Sequence, residues 1–142
     1  MPLPYRLAGV LAGAVLAGCS TTPMPNISTT LLETTGQNGR ACVDTSDIRG
    51  YGVLEQDVIS IDARSNYYLA TVLPGCNNLE VSARAMFSSR FYEVCGGGMD
   101  HVRTGGDNCT IRNMFEFESR EEAFAAHDAA IAARKAAAEQ AE

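Results

Sequence analysis

Apolar and polar positions divide the chain into four stretches. Residues Leu7 to Ala17 form one unbroken apolar run behind a head whose only charge is Arg6. A run this short falls below the roughly 20 residues that an ordinary spanning helix needs. A charged head, an apolar middle of about ten residues and small residues at its end describe a secretory leader, here residues 1–18. From Ser20 the chain turns polar and proline-bearing, through Thr-Thr-Pro-Met-Pro-Asn. Residues 19–38 are therefore expected as a flexible tether.

The third stretch, 39–118, reads as β structure. Ile48 to Leu54 is apolar but interrupted by Gly50 and Gly52, which predicts a bent or bulged strand. Val58 to Asp62 is β-branched, and Tyr67 to Leu73 is aromatic and β-branched; both predict strands. The turn around Arg64-Ser65 makes them a hairpin, and Pro74-Gly75 stops the second. Asn77 to Arg84 fits a helical turn or a strand equally. Met86-Phe87 and Phe91 to Val94 add extended apolar material. Cys109 to Glu118 alternates with period two, which places Ile111, Asn113, Phe115 and Phe117 on one face and Arg112 and Met114 on the other.

The fourth stretch, 119–142, changes period. Ser119-Arg120-Glu121-Glu122 is a capping box ahead of an alanine-rich run. Alanine favours helix, and the two glutamates suit the positive end of its dipole. Phe124 and Ile131 supply the only large apolar stripe, so the last turns are expected in solvent. The fold class is mainly β: a small antiparallel sheet or partly open barrel with two disulfides, plus a C-terminal alanine-rich α-helix.

Composition narrows the partners. The chain carries 11 basic and 17 acidic residues. Removing the leader with Arg6 leaves 10 − 17 = −7 on 142 − 18 = 124 residues, a size for one domain. That acidic excess argues against nucleic acid and against electrostatic binding to an anionic bilayer. Apart from Cys19, four cysteines remain: Cys42, Cys76, Cys95 and Cys109. An even count in an exported small domain reads as two disulfides. The expected pairing is Cys76–Cys95 with Cys42–Cys109, the second fastening the ends of the β stretch. Cys42–Cys76 with Cys95–Cys109 is its competitor. No C-x-x-C pair supports a zinc or thiol-redox site, and no metal or cofactor is expected.

Candidate chemistry is sparse. Asp100 and His101 lie between Gly96-Gly97-Gly98 and Gly105-Gly106, with Asp107 beyond. An Asp-His pair could serve as a general base with its orienter, but neither a nucleophile elbow nor a phosphate loop accompanies it. His127 on the terminal helix reads as a solvated polar residue. Tyr51, Tyr67 and Tyr68 are the candidate binding residues, since tyrosine offers contact area at low rotamer cost. Tyr67 and Tyr68 point to opposite faces, so one of them is expected to be exposed.

Two resemblances complete the reading. Leu16-Ala17-Gly18-Cys19 resembles the lipobox of bacterial lipoproteins. The resemblance implies cleavage before Cys19, acylation of its thiol and an anchor in membrane lipid. Ser20 implies sorting to the outer membrane, facing the periplasm. The run Gly39-Arg40-Ala41-Cys42-Val43, then Asn66-Tyr67-Tyr68-Leu69, Leu73-Pro74-Gly75-Cys76, Val94-Cys95-Gly96 and Cys109-Thr110-Ile111 resembles a family of small four-cysteine proteobacterial lipoproteins. That family is catalogued as a domain of unknown function, and the resemblance implies an envelope location and a disulfide-bonded β domain. The expected function is a non-catalytic binding or structural module with an envelope protein as partner. An inhibitor of a periplasmic hydrolase inserting loop 96–106 stands second, and an enzyme using Asp100, His101 and Asp107 third.

Overall fold

The computed structural model describes residues 18, 25–76, 86–88, 91–104 and 106–140. The apolar leader, Cys19 and the ambiguous stretch Asn77 to Arg84 lie outside them. In chain order the elements are α1 (Ile27–Thr35), β1 (Cys42–Asp44), a 3-10 turn (Thr45–Asp47), β2 (Ile48–Glu55), β3 (Val58–Ala63) and β4 (Tyr67–Val72). β5 (Met86–Ser88), β6 (Glu93–Cys95), β7 (His101–Arg103), β8 (Asn108–Phe117) and α2 (Arg120–Gln140) follow.

Six strands form one curled antiparallel sheet in the order β2-β3-β4-β8-β7-β5. The hairpin around Arg64-Ser65 is present, with Ile61 opposite Tyr68. β1 and β6 form a separate two-stranded ribbon. The sheet is buried on both faces. On one face Ile59, Ile61, Tyr68, Ala70, Ile111 and Met114 pack under Val43 of β1 and Val94 of β6. On the other Val58, Leu69 and Phe115 pack under Ile27 and Leu31 of α1 and Ala123 and Ala130 of α2. This explains why β3 and β4 read as almost continuous apolar runs.

The tether expectation for 19–38 is corrected over its second half. Asn26 caps α1 by accepting the Thr29 amide at 2.8 Å, and the helix ends at Gly36. Ile27 and Leu31, one turn apart on the same face, are fully buried. Each contributes about 1.5–3 kcal/mol by leaving water. Serine and threonine dominate the rest of α1, so its intrinsic propensity is low, and burial against the sheet supplies what propensity does not. Its buried polar groups are satisfied as well: Ser28 Oγ hydrogen-bonds Thr71 Oγ1 at 2.8 Å, and Asn113 Nδ2 donates to Ser28 Oγ.

The expected alternation along β8 holds only in halves. Thr71 pairs with Asn113 but Val72 pairs with Ile111, so Arg112 bulges out without a partner. The extra residue flips parity. Ile111 and Met114 therefore share one core, while Phe115 and Phe117 belong to the other.

On its far edge the bulged segment receives two other backbone stretches. Met114 N–H donates to Gly39 at 2.8 Å, and Ala41 N–H donates to Met114 at 3.2 Å. Gly97 and Gly98 donate to the carbonyls of Arg112 and Ile111, each at 2.9 Å. The packing leaves no room for side chains. A Cβ on Gly96 would press into the Gly39 carbonyl and the Met114 amide, and one on Gly39 would meet Asn113 Oδ1 at 2.5 Å.

The disulfides are two, but both expected pairings are wrong. The bonds are Cys42–Cys95 and Cys76–Cys109. Cys42 and Cys95 face each other across the β1–β6 ribbon. Antiparallel pairing of β4 with β8 brings the end of one beside the start of the other, which places Cys76 next to Cys109. With sequence separations of 53 and 33, each bond is worth about 4 kcal/mol in the chain-entropy model.

Two outcomes are expected. Non-reducing peptide mapping recovers peptides joined through Cys42–Cys95 and Cys76–Cys109; recovery of Cys42 linked to Cys109 would overturn the topology. Gly96→Ala lowers stability by about 3 kcal/mol or more in urea denaturation, as overpacking against backbone does. Gly50→Ala, with open space around it, costs less than about 1 kcal/mol.

Candidate functional site

The sheet has two ends. At one lie the start of α1, the β2–β3 turn (Glu55-Gln56-Asp57), Pro74-Gly75 and the last turns of α2. Ser28 bonded to Thr71 and Arg134 bonded to Glu55 fix this arrangement. At the other lie the β3–β4 turn, the end of β8 and the first turn of α2, where Tyr67 packs edge-on against Phe124 at 5.9 Å.

An open cleft of about 640 Å³ occupies the first end, lined in part by Glu55, Asp57, Leu73, Pro74 and Arg134. Glu55 accepts two hydrogen bonds from Arg134 Nη2, at 3.1 and 3.4 Å. His127 Nε2 lies 4.0 Å from Glu55 Oε1. The imidazole is not the solvated group expected from sequence. Its side chain is 12% exposed, and its Nε2 is buried with no hydrogen-bond partner among the described residues. Sequence periodicity held a signal for this: His127 is three and four residues from Phe124, Ala123, Ala130 and Ile131, and so shares the docked face.

Asp100, His101 and Asp107 of the expected catalytic loop fall on a backbone clamp, a strand and a turn. Asp100 is buried, its Oδ2 accepts the Cys95 amide at 2.7 Å and its carbonyl accepts the Ile111 amide at 2.8 Å. His101 is a half-buried strand residue between Ser88 and Thr110. Asp107 closes a turn with Thr104 through backbone bonds. The Asp100 carboxylate is thus engaged by a backbone amide through Oδ2. Backbone bonds from Gly97 and Gly98, and one to the Asp100 carbonyl, tie this segment to β8.

Two cysteine clusters have carboxylates nearby, Cys42 and Cys95 with Glu93, and Cys76 and Cys109 with Asp107. Both cysteine pairs are disulfides, so no thiolate is present to bind a metal.

The tyrosines are corrected too. Tyr51 packs edge-on against Phe87 at 6.3 Å beside the first core. Tyr67 does face away from Tyr68, but α2 covers it. Tyr68 is buried, and that burial pushes its phenol up; the Asn66 side chain opposes the shift and the Glu116 charge adds to it. Asp44 is held below the usual carboxylate range by the hydroxyl and amide of Ser46, both of which donate to it.

Among the described residues the exposed large apolar side chains are others: Phe91 at 81%, Tyr92 at 86%, Met99 at 69% and Leu73 at 41%. Tyr92 is held in place through its backbone, since its carbonyl accepts both the amide and the hydroxyl of Thr45, at 2.9 and 3.0 Å.

A family model described as a family of unknown function, DUF6491, matches residues 4–139. The chain belongs to the DUF6491 family. No curated protein and no solved structure matches it. The match extends through α1 and α2 of this DUF6491 chain, so both helices lie within the family region and not outside it.

Two outcomes are expected for these buried groups. At pH 8, His127→Phe leaves the unfolding midpoint unchanged or raises it, by up to about 1 kcal/mol, because it removes an unsatisfied buried atom. A loss above about 2 kcal/mol would show that the imidazole has a partner. For Tyr68 the folded value is raised, so the neutral form carries the stability. That contribution is full below the ordinary tyrosine value near 10 and is lost as pH rises through the folded value. Tyr68→Phe flattens the alkaline limb of the stability curve; an unchanged limb would contradict the assignment.

Proposed function

We propose that this DUF6491 protein is a lipid-anchored, non-catalytic module of the bacterial envelope that binds another envelope protein. The observation that carries the reading is the presentation of Phe91 and Tyr92. Among the described residues they are the most exposed of the large apolar side chains, and the segment that bears them is fastened to Thr45. Large aromatics displayed from a held backbone suit binding, since little order remains to be imposed when a partner arrives.

Three features support the rest of the reading. The leader and Leu16-Ala17-Gly18-Cys19 supply an anchor. Two disulfides suit an oxidising compartment. Asp100, expected as part of a catalytic set, is instead a backbone clamp.

Two measurements test this. The protein isolated from its native membrane is expected to have the intact mass of residues 19–142 plus acyl chains, and Cys19→Ser to release it. An unmodified mass would refute the anchor. A photoreactive residue at position 92 is expected to crosslink one discrete envelope protein in cells. Phe91→Ser is expected to reduce that product several-fold, and the absence of any discrete product would refute the binding role.

A further inference from the structure

The anchor and the fold together set an orientation. We infer that the domain stands on the bilayer with its β2–β3 turn end towards the lipid headgroups, so that the β3–β4 turn end and the Phe91-Tyr92 segment face away. This rests on the reading of Cys19 as the acylated residue.

The first argument is reach. Six residues, 20–25, separate Cys19 from the Asn26 cap of α1. The seven links to Asn26 span at most about 25 Å. α1 is part of the core through Ile27 and Leu31, so the leash ends at Asn26. Asn26 is at the β2–β3 turn end, because Ser28 bonds Thr71 and Asn113, while Gln37 beyond the other end of α1 bonds Glu116. The six residues of β3 put the opposite end about 20 Å farther off.

The second argument is the surface at each end. The near end exposes Leu73 and carries Arg134, beside Glu55 and Asp57. The far end gathers Glu116, Glu118 and Glu122 around one cleft, with Glu121 in the same turn of α2; these four carboxylates outnumber Arg64 and Arg120 there. An anionic headgroup surface repels carboxylates, so the acidic end is the one turned outward. Acyl chains hold the protein; charge only sets which way it faces.

The third observation concerns the aromatics. Tyr92 bonds Thr45 of the 3-10 turn, and Asp47 of the same turn accepts the Arg64 amide at 2.9 Å. That places Tyr92 at the end away from the lipid, where a soluble or membrane-bound partner can reach it.

The chain has no tryptophan, which makes the test direct. Gln56→Trp and Ser65→Trp place single probes in exposed turns at opposite ends of β3. Leu73→Trp and Glu118→Trp provide a second pair. The full-length proteins are extracted from membranes, weighed intact and reconstituted into phosphatidylethanolamine–phosphatidylglycerol vesicles containing dansyl-labelled headgroups. Energy transfer from Gln56→Trp and Leu73→Trp is expected to exceed that from Ser65→Trp and Glu118→Trp several-fold. Equal or reversed transfer in proteins whose mass includes acyl chains would overturn the orientation while leaving the anchor intact. A mass without acyl chains would overturn the anchor, and the orientation with it.

Discussion

The structure depends on one backbone junction, where the bulge in β8 meets two other strands of chain. Between Ile111 and Met114 this strand pairs with β4 on one edge. On its other edge it takes hydrogen bonds with Gly39 to Ala41 and Gly97-Gly98. Three stretches distant in sequence meet there: a Cβ at 96 would strike backbone atoms of the other two, and one at 39 the side chain of Asn113. The junction fixes the β1–β6 ribbon over one face of the sheet. It also sets the Cys42–Cys95 pairing, since Gly96 N–H bonds Ala41 next to both cysteines.

The same bulge divides the core. By reversing the direction of side chains along β8, it gives the ribbon face Ile111 and Met114 and leaves Phe115 and Phe117 to the helices. A sheet covered on both sides needs two lids, and α1 and α2 together form the second. The short helix before the sheet is thus as much a part of the fold as the long one after it. Because it is docked, the distance available between Cys19 and the folded domain shrinks to a few residues.

The residues with the strongest chemical look in sequence serve the backbone. Asp100 holds the Cys95 amide, and the glycine cluster beside it makes room at the junction. The adjacent tyrosines follow the same rule, with Tyr67 under α2 and Tyr68 in the core. The Phe91-Tyr92 segment is exposed, although its apolar character in sequence resembles that of any strand. Exposure is a property of which neighbours arrive, and none covers these two rings to any large extent.

Local rules were enough for strands β3 and β4, the Arg64-Ser65 hairpin, the terminal helix with its capping box and the count of two disulfides. Each depends on residues within a few positions of one another, or on a simple tally. The sequence by itself determined those, together with the leader and its cysteine as an expectation. The tertiary structure alone decided the disulfide partners, the bulge at Arg112, the helix Ile27–Thr35, the burial of His127 and the end of the domain at which that helix begins. These follow from which distant backbones and faces meet. A helix of low propensity forms when Ile27 and Leu31 find a sheet to cover, and a cysteine's partner is set by strand register; neither fact is written in a local pattern.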